Sequence, residues 1–130
     1  MPIRPLLTRR AATLVGLLAL ATLPLHSLAQ SWPAKPIRLV VPFPAGGGTD
    51  IVARDVSNKI TALSQWGFVI DNKPGSGGNL GIDTTAKAAA DGYTLVVGQS
   101  SNLTINPTLY SKLPYNPLTD LSPIGLIGEA

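Results

Sequence analysis

The residues of this sequence that could do chemistry are concentrated in two glycine-rich stretches and one short polar run. The first stretch follows an apolar run, Ile37 to Val41, and precedes a pattern typical of a helix; it comprises Phe43, Pro44, Ala45, Gly46, Gly47, Gly48, Thr49 and Asp50. Glycine lets the backbone approach a ligand closely, and the N–H groups that begin a helix attract anions. Taken alone, the stretch fits an anion-binding loop and a tight packing turn equally well.

The second glycine-rich stretch and the polar run also follow segments predicted to be strands. The stretch comprises Gly75, Ser76, Gly77, Gly78 and Asn79, and the polar run after Gln99 comprises Ser100, Ser101 and Asn102. Because the carboxyl ends of parallel strands lie at one edge of a sheet, we expect these residues to converge with the first stretch on a ligand crevice. Convergence favours an anion site, although each polar side chain is equally suited to forming a turn.

Asp50 allows two interpretations. Its carboxylate can cap the N-terminus of the following helix, a role open to Thr49 as well, or it can meet the ammonium group of an amino-acid ligand. We favour the cap, because an acidic side chain in the first turn suits the helix dipole.

Catalytic chemistry finds little support in these residues. Neither glycine-rich stretch has the lysine followed by serine or threonine of a Walker P-loop, and Gly75–Gly81 misses the dinucleotide fingerprint G-x-G-x-x-G by one residue. The only histidine is His26 and cysteine is absent, so the chain after residue 29 offers no histidine base and no His/Cys metal site. We expect a binding protein without catalytic activity, cofactor or metal; an exported nucleotide-binding enzyme domain is the alternative.

Strand and helix patterns alternate along the chain and would position these stretches. They predict strands over 37–41, 67–72 and 93–98 and helices over 49–64 and 80–89, followed by a short helix over 106–110 and one more strand over 123–128. Such alternation predicts an α/β fold with a doubly wound, mainly parallel sheet.

The first 29 residues have the pattern of a secretory signal peptide. Three arginines precede an apolar run, and Ser27-Leu28-Ala29 forms a small-x-small site, so we expect cleavage after Ala29 and a periplasmic mature chain. Cleavage would remove three of the 10 basic residues and leave seven against seven acidic ones. The neutral remainder predicts no nucleic-acid partner.

Five motifs in order resemble the Bug-type periplasmic receptors of tripartite tricarboxylate transporters. They cover nearly all of the chain after the predicted signal peptide, and they are Trp32–Asp50, Asp71–Gly81, Ala90–Leu95, Ile105–Tyr110 and Leu113–Pro117. Gln65-Trp66-Gly67 and Gln99–Asn102 depart modestly from the family pattern.

The resemblance implies a two-lobed, type II-like periplasmic binding protein that closes on a small organic anion and presents it to a membrane permease. The anion would be a di- or tricarboxylate, an acidic amino acid or an aromatic carboxylate, held by the two glycine-rich stretches and the region of Ser100. Residues 30–130 would form an incomplete first lobe without the second. We therefore expect a fragment that binds weakly, or a remnant that does not bind.

Overall fold

A computed structural model describes residues 31–128 of the chain. The predicted signal peptide, with its cleavage site after Ala29, lies outside the described residues. The elements in chain order are β1 (Ile37–Val41), α1 (Gly48–Ser64), β2 (Phe68–Asn72), a 3₁₀ turn (Ser76–Gly78), α2 (Asn79–Ala86), β3 (Thr94–Val96), a π-helical turn (Ser101–Ile105) and α3 (Asn106–Leu109). Within this range, every helix is too short or too polar to cross a membrane.

The three strands form one parallel sheet in the order β2-β1-β3. β1 lies at the centre, and four of its five residues are buried. Its residue Leu39 pairs in register with Ile70 of β2 and with Leu95 of β3. A central parallel strand is covered on both faces, which explains why β1 is apolar throughout apart from Arg38. The predicted α/β class with a parallel sheet is confirmed.

Helices cover the two faces of the sheet separately. On one face, Leu39 and Val41 form the core with Ala53 of α1. Because successive strand residues point to opposite faces, Val40 faces the other way, where it is fully buried. Ile82 of α2, which packs against β1 and β3, is also fully buried. The sheet is therefore doubly wound, as the alternation of patterns predicted.

Helix α1 begins one residue earlier than predicted and has no side-chain cap. Gly47 is its N-cap residue, and no side chain accepts a hydrogen bond from the first turn. The prediction that Thr49 or Asp50 caps the helix is therefore wrong. Asp50 lies within the first turn instead, and its carboxylate turns back to accept the N–H of Gly46 (2.8 Å).

The predicted last strand, 123–128, is not a strand. Residues 121–128 have no regular structure and pair with no strand in the described range. Ile124 and Leu126 are 81% and 77% exposed, so the apolar pattern of this segment has nothing to pack against. β3 is also shorter than predicted, because only Thr94–Val96 pair with β1.

An aromatic cluster lies at the amino edge of the sheet. Trp32, which precedes β1, contacts Trp66, which precedes β2, with ring centroids 5.2 Å apart in an edge-to-face arrangement. Trp32 also lies 5.9 Å from Tyr93, which precedes β3, and the Lys35 ammonium stands 4.4 Å from the centre of the Tyr93 ring. The cluster ties together the chain segments that lead into the three strands.

Candidate functional site

Three chain segments meet at the carboxyl edge of the sheet, one after each strand. We call them loop 1 (residues 42–50, after β1), loop 2 (residues 75–79, after β2) and turn 3 (residues 99–102, after β3). In the strand order β2-β1-β3 the chain first passes from β1 to β2 and then crosses back past β1 to β3, with α1 and α2 covering opposite faces of the sheet. Such a switch point opens a crevice, which is where α/β proteins bind their ligands.

Direct contacts join the three segments. The Gln99 side chain of turn 3 donates from Nε2 to Thr49 Oγ1 in loop 1 (2.5 Å). Asn102 Nδ2, also in turn 3, donates to the carbonyl oxygen of Gly77 in loop 2 (2.6 Å). Turn 3 is therefore hydrogen-bonded to both glycine loops and connects them.

The first turn of α1 presents backbone donors at this edge. The first hydrogen bond of helical type runs from the Ile51 N–H to the Gly47 carbonyl oxygen (3.0 Å). The N–H groups of Gly48, Thr49 and Asp50 precede it, so they have no acceptor within the helix. With no side-chain cap in place, these three donors and the positive end of the helix dipole are left for an anion.

Open space lies above loop 1 where two of its glycines stand. A Cβ atom built on Gly46 or on Gly48 would meet nothing within 4 Å. Gly46 has a φ of 81°, which explains why it is glycine, but Gly48 is an ordinary first residue of a helix. Neither packing nor backbone conformation requires glycine at position 48, and a side chain there would project into the open space at this edge.

Loop 2 has four successive residues with positive φ. These are Gly75 (138°), Ser76 (51°), Gly77 (65°) and Gly78 (88°). Ser76 is the only one that carries a side chain, and such conformations are costly for residues other than glycine. Gly78 is required for a second reason, because a Cβ there would lie 2.5 Å from Asn102 Nδ2.

Three side chains behind loop 1 form a closed ring of hydrogen bonds, which we call the clamp: Asp50, Arg54 and Asn72. Asp50 Oδ2 accepts from Arg54 Nε (2.9 Å), and Asp50 Oδ1 accepts from Asn72 Nδ2 (3.0 Å). Arg54 Nη2 closes the ring by donating to Asn72 Oδ1 (3.3 Å). The Asp50 carboxylate is 1% exposed, and the bond from Arg54, followed by those from Gly46 and Asn72, holds its pKa well below the usual range.

A buried polar network supports loop 2 and turn 3 from below. The Tyr115 hydroxyl lies 2.8 Å from Asn79 Oδ1 and 2.8 Å from the Asn102 carbonyl oxygen, two acceptors for its single proton. Asn106 Nδ2 donates to the same Asn79 oxygen (2.6 Å). All four residues are at most 6% exposed, and burial raises the pKa of the Tyr115 hydroxyl.

The predicted site residues divide into an exposed group and a buried group. Exposed or half-buried at the carboxyl edge are Phe43, Pro44, Ala45, Gly46, Gly47, Gly48, Thr49, Gly75, Ser76, Gly77, Ser100 and Ser101. Buried are Asp50, Gly78, Asn79 and Asn102. The oxygens of the three buried side chains already accept hydrogen bonds from the chain itself, so these residues lie behind the exposed backbone.

Sequence reasoning did not identify the residues that hold the exposed group in place. In the sequence, Asn72 and Tyr115 stand out only as members of the motifs Asp71–Gly81 and Leu113–Pro117, and Gln99 only as the residue before the polar run. One available signal was the spacing of Asp50 and Arg54, since an acid and a base four residues apart lie on the same face of a helix.

The model of one protein family matches residues 52–130, more than half of the chain, and it is described as "Tripartite tricarboxylate transporter family receptor". Protein BugT of Bordetella pertussis is 39% identical over 124 residues, which cover 95% of this chain and 38% of BugT. A protein of Pseudomonas sp. strain P51 is 39% identical over 97 residues, which cover 75% of this chain and 29% of that protein.

Solved structures share the fold. MatC from Rhodopseudomonas palustris, determined with bound malate, superposes with a TM-score of 0.70 and is 36% identical, over 74% of this chain and 33% of that one. A second R. palustris protein, determined with adipate, gives a TM-score of 0.65 at 38% identity, over 68% and 30% of the two chains. The chain thus spans about a third of the length of these relatives.

Proposed function

Because the chain belongs to the tripartite tricarboxylate transporter receptor family, we propose that it captures a small carboxylate-bearing solute with the exposed backbone of loop 1 and loop 2. The observation that carries this proposal is the uncapped start of α1, where three N–H groups lack an acceptor within the helix and Gly48 faces open space. The bond from Gln99 to Thr49 and the bond from Asn102 to Gly77 bring further polar groups beside it.

The proposed site holds the carboxylate by hydrogen bonds without a lysine or arginine in contact. Hydrogen bonds to a charged group contribute about 1.5–3 kcal/mol each, so three or four support micromolar affinity, about −8 kcal/mol. The hydroxyls of Thr49, Ser76 and Ser100, one in each of the three converging segments, are candidates for additional side-chain donors. Pro44, Ala45 and Gly46 are exposed, so the site is open on one side. We therefore expect a dissociation constant in the micromolar range or higher.

Two relatives indicate the class of solute. MatC was determined with bound malate and its R. palustris counterpart with adipate, both of them dicarboxylates. We propose that this chain also binds a small dicarboxylate. Tricarboxylates, acidic amino acids and aromatic carboxylates are the other carboxylate ligands to test. Export by the predicted signal peptide would place it in the periplasm, where a membrane permease of the transporter would receive the solute.

Substitution of Gly48 tests the proposed site. We expect Gly48→Ala to weaken malate or adipate binding at least about tenfold, since one lost charged hydrogen bond amounts to that much. The free energy of unfolding should stay unchanged or rise by up to about 1 kcal/mol, because alanine is the better helix residue and nothing obstructs its methyl group. Isothermal titration and urea unfolding measure the two quantities.

Gly125→Ala is the matched control, because a Cβ there also meets nothing within 4 Å but lies in the irregular segment 121–128. It should leave both quantities unchanged. If Gly48→Ala bound the carboxylate as tightly as the unmodified chain does, the proposed site would be refuted. If the unmodified chain bound with a submicromolar Kd, the proposal that the site is open on one side would be refuted.

A further inference from the structure

Asn72 closes the carboxyl end of β2, and its side-chain amide makes three hydrogen bonds. Nδ2 donates to the Phe43 carbonyl oxygen (3.1 Å) and to Asp50 Oδ1 (3.0 Å). Oδ1 accepts from Arg54 Nη2 (3.3 Å). Asn72 thus connects β2 with loop 1 and with the first turn of α1.

The orientation of this amide is determined by its partners. Both groups next to Nδ2 are acceptors, a carbonyl oxygen and a carboxylate oxygen, and the group next to Oδ1 is a guanidinium. The opposite orientation would place Oδ1 against two acceptors and the NH₂ group against a donor. Only an amide with its nitrogen toward loop 1 fits this position.

Asn72 and Asp50 together fix both ends of the exposed part of loop 1. Asn72 holds the Phe43 carbonyl oxygen, and Asp50 holds the Gly46 N–H. The turn Pro44–Gly47, which overlaps this stretch, is closed by the Gly47 N–H, which donates to the Pro44 carbonyl oxygen (3.3 Å). The direction in which the backbone enters α1, and with it the direction of the first N–H groups, follows from these bonds.

We propose that Asn72 is a positioning residue of the anion site: with Asp50 it holds loop 1 in the shape that aims the Gly48–Asp50 N–H groups at the ligand. This inference rests on the proposed function. It also assigns Asp50 a supporting role, because its carboxylate is buried and both of its oxygens already accept hydrogen bonds from the clamp or from Gly46, which leaves it screened from an ammonium group on a ligand. The ligand is thereby selected by its carboxylate at this end of the site.

Asn72→Asp is the sharpest substitution, because it keeps the shape of the side chain and replaces the donor with a carboxylate that faces Asp50. We expect malate affinity at pH 7.5 to fall at least about tenfold, as one lost charged hydrogen bond predicts. Asn58→Asp on the exposed face of α1 adds the same charge outside the clamp and should change the affinity by less than about threefold.

A pH series separates positioning from a loss of stability. The charged groups around position 72 are Asp50 and Arg54 on α1, Asp71 and Lys73 beside it in the chain, and Arg38 of β1, which pairs with Asp71. Beside the Asp50 carboxylate, the carboxylate introduced by Asn72→Asp regains a proton and hence a donor as the pH falls. The affinity ratio of this variant to the unmodified chain should therefore recover between pH 7.5 and pH 5, whereas a merely destabilised variant would not recover.

Amide hydrogen exchange at Gly46, followed by NMR, tests the clamp without a ligand. Asn72→Asp should raise the exchange rate of this amide at least about tenfold relative to Asn58→Asp. Faster exchange together with the pH-dependent loss of affinity supports the inference. Unchanged exchange, or faster exchange with undiminished affinity, overturns it. If the unmodified chain binds no carboxylate, the proposed function fails and the positioning role fails with it, whatever the exchange rates show about the shape of loop 1.

Discussion

Asp50 is a buried charge whose hydrogen-bond partners all come from the chain itself. Its carboxylate is 1% exposed, and it is compensated by the Arg54 guanidinium, the Asn72 amide and the Gly46 N–H. A carboxylate with these partners is stabilised in its charged form. The side chain therefore contributes to folding in a way that depends on pH.

We expect Asp50→Asn to destabilise the chain at pH 7 and to have a smaller effect at pH 3. The pKa of Asp50 in the folded chain lies below its unfolded value of about 3.9, so the carboxylate stabilises the fold above that pH. This contribution declines as the pH falls below about 4 toward the folded pKa. Urea midpoints at the two pH values measure the effect, with Asp55→Asn on the exposed face of the same helix as the control. Equal destabilisation at both pH values would contradict the prediction.

At the level of single residues, the sequence predicted that a glycine-rich loop joins β1 to α1, but it did not predict the hydrogen-bond partners of the side chains in that loop. A glycine run between a strand and a helix predicts a tight turn with exposed backbone N–H groups, which suits an anion and close packing equally well. Whether Asp50 caps its helix depends on Asn72, which is 22 residues further along the chain. That partnership is tertiary, so the favoured cap was wrong in its geometry although it was right in placing Asp50 near the N-terminus of the helix.

Among the helices and strands, the best predicted are those whose sequence pattern agrees with how they are buried or begun in the structure. β1 matches its predicted range because a run that is apolar except for Arg38 stands between Pro36 and Pro42 and is covered on both faces. The short helix α3 matches to within one residue, since it ends at Leu109 and not at residue 110, and Pro107 lies in its first turn. The segment 123–128 has a strand-like sequence but pairs with no described strand, and a strand requires a partner as well as a propensity.

The packing of α2 on the sheet predicts a contrast between neighbouring leucine and isoleucine positions. Ile82→Ala should lower the free energy of unfolding by about 2–5 kcal/mol, because Ile82 is fully buried and its removal leaves a cavity beside β1 and β3. Leu80→Ala on the same helix, where the side chain is 49% exposed, should cost clearly less. Urea unfolding of both variants checks this, and similar losses would show that α2 does not pack as described.

The connector around Tyr115 should behave as part of the core despite its proline-rich sequence. Tyr115→Phe removes the donor to Asn79 and to the Asn102 carbonyl oxygen and should destabilise the chain by about 1–3 kcal/mol at pH 7. Burial raises the pKa of Tyr115, so the neutral hydroxyl stabilises the fold below about pH 10 and the benefit is lost as the pH rises through the folded pKa.

Urea midpoints of Tyr115→Phe should therefore converge with those of the unmodified chain at strongly alkaline pH. Tyr110→Phe, at an exposed position, serves as the control and should be nearly neutral at pH 7. A Tyr115→Phe variant as stable as this control would refute the role of the buried network.

For the molecule as a whole, the sequence predicted the topology of the sheet better than it predicted the details of the candidate site. Alternating strands and helices dictate a parallel sheet, and a parallel sheet brings the three connections to one edge. The sequence does not reveal which side chains at that edge face solvent, because four successive positive φ angles in loop 2 decide this for Gly75–Asn79. Asn79, which follows these residues, and Asn102, which donates to the Gly77 carbonyl oxygen, are buried, while Gly48 borders open space.

The aromatic cluster has a practical consequence for the spectroscopy of this chain. Trp32 and Trp66 are its only tryptophans, and they contact each other at the amino edge of the sheet, at the opposite end of the strands from loop 1. Their emission reports the loss of tertiary structure, since unfolding separates them. A carboxylate bound at the proposed site would lie a full strand length away, so we expect tryptophan fluorescence to report folding and not to respond to the ligand.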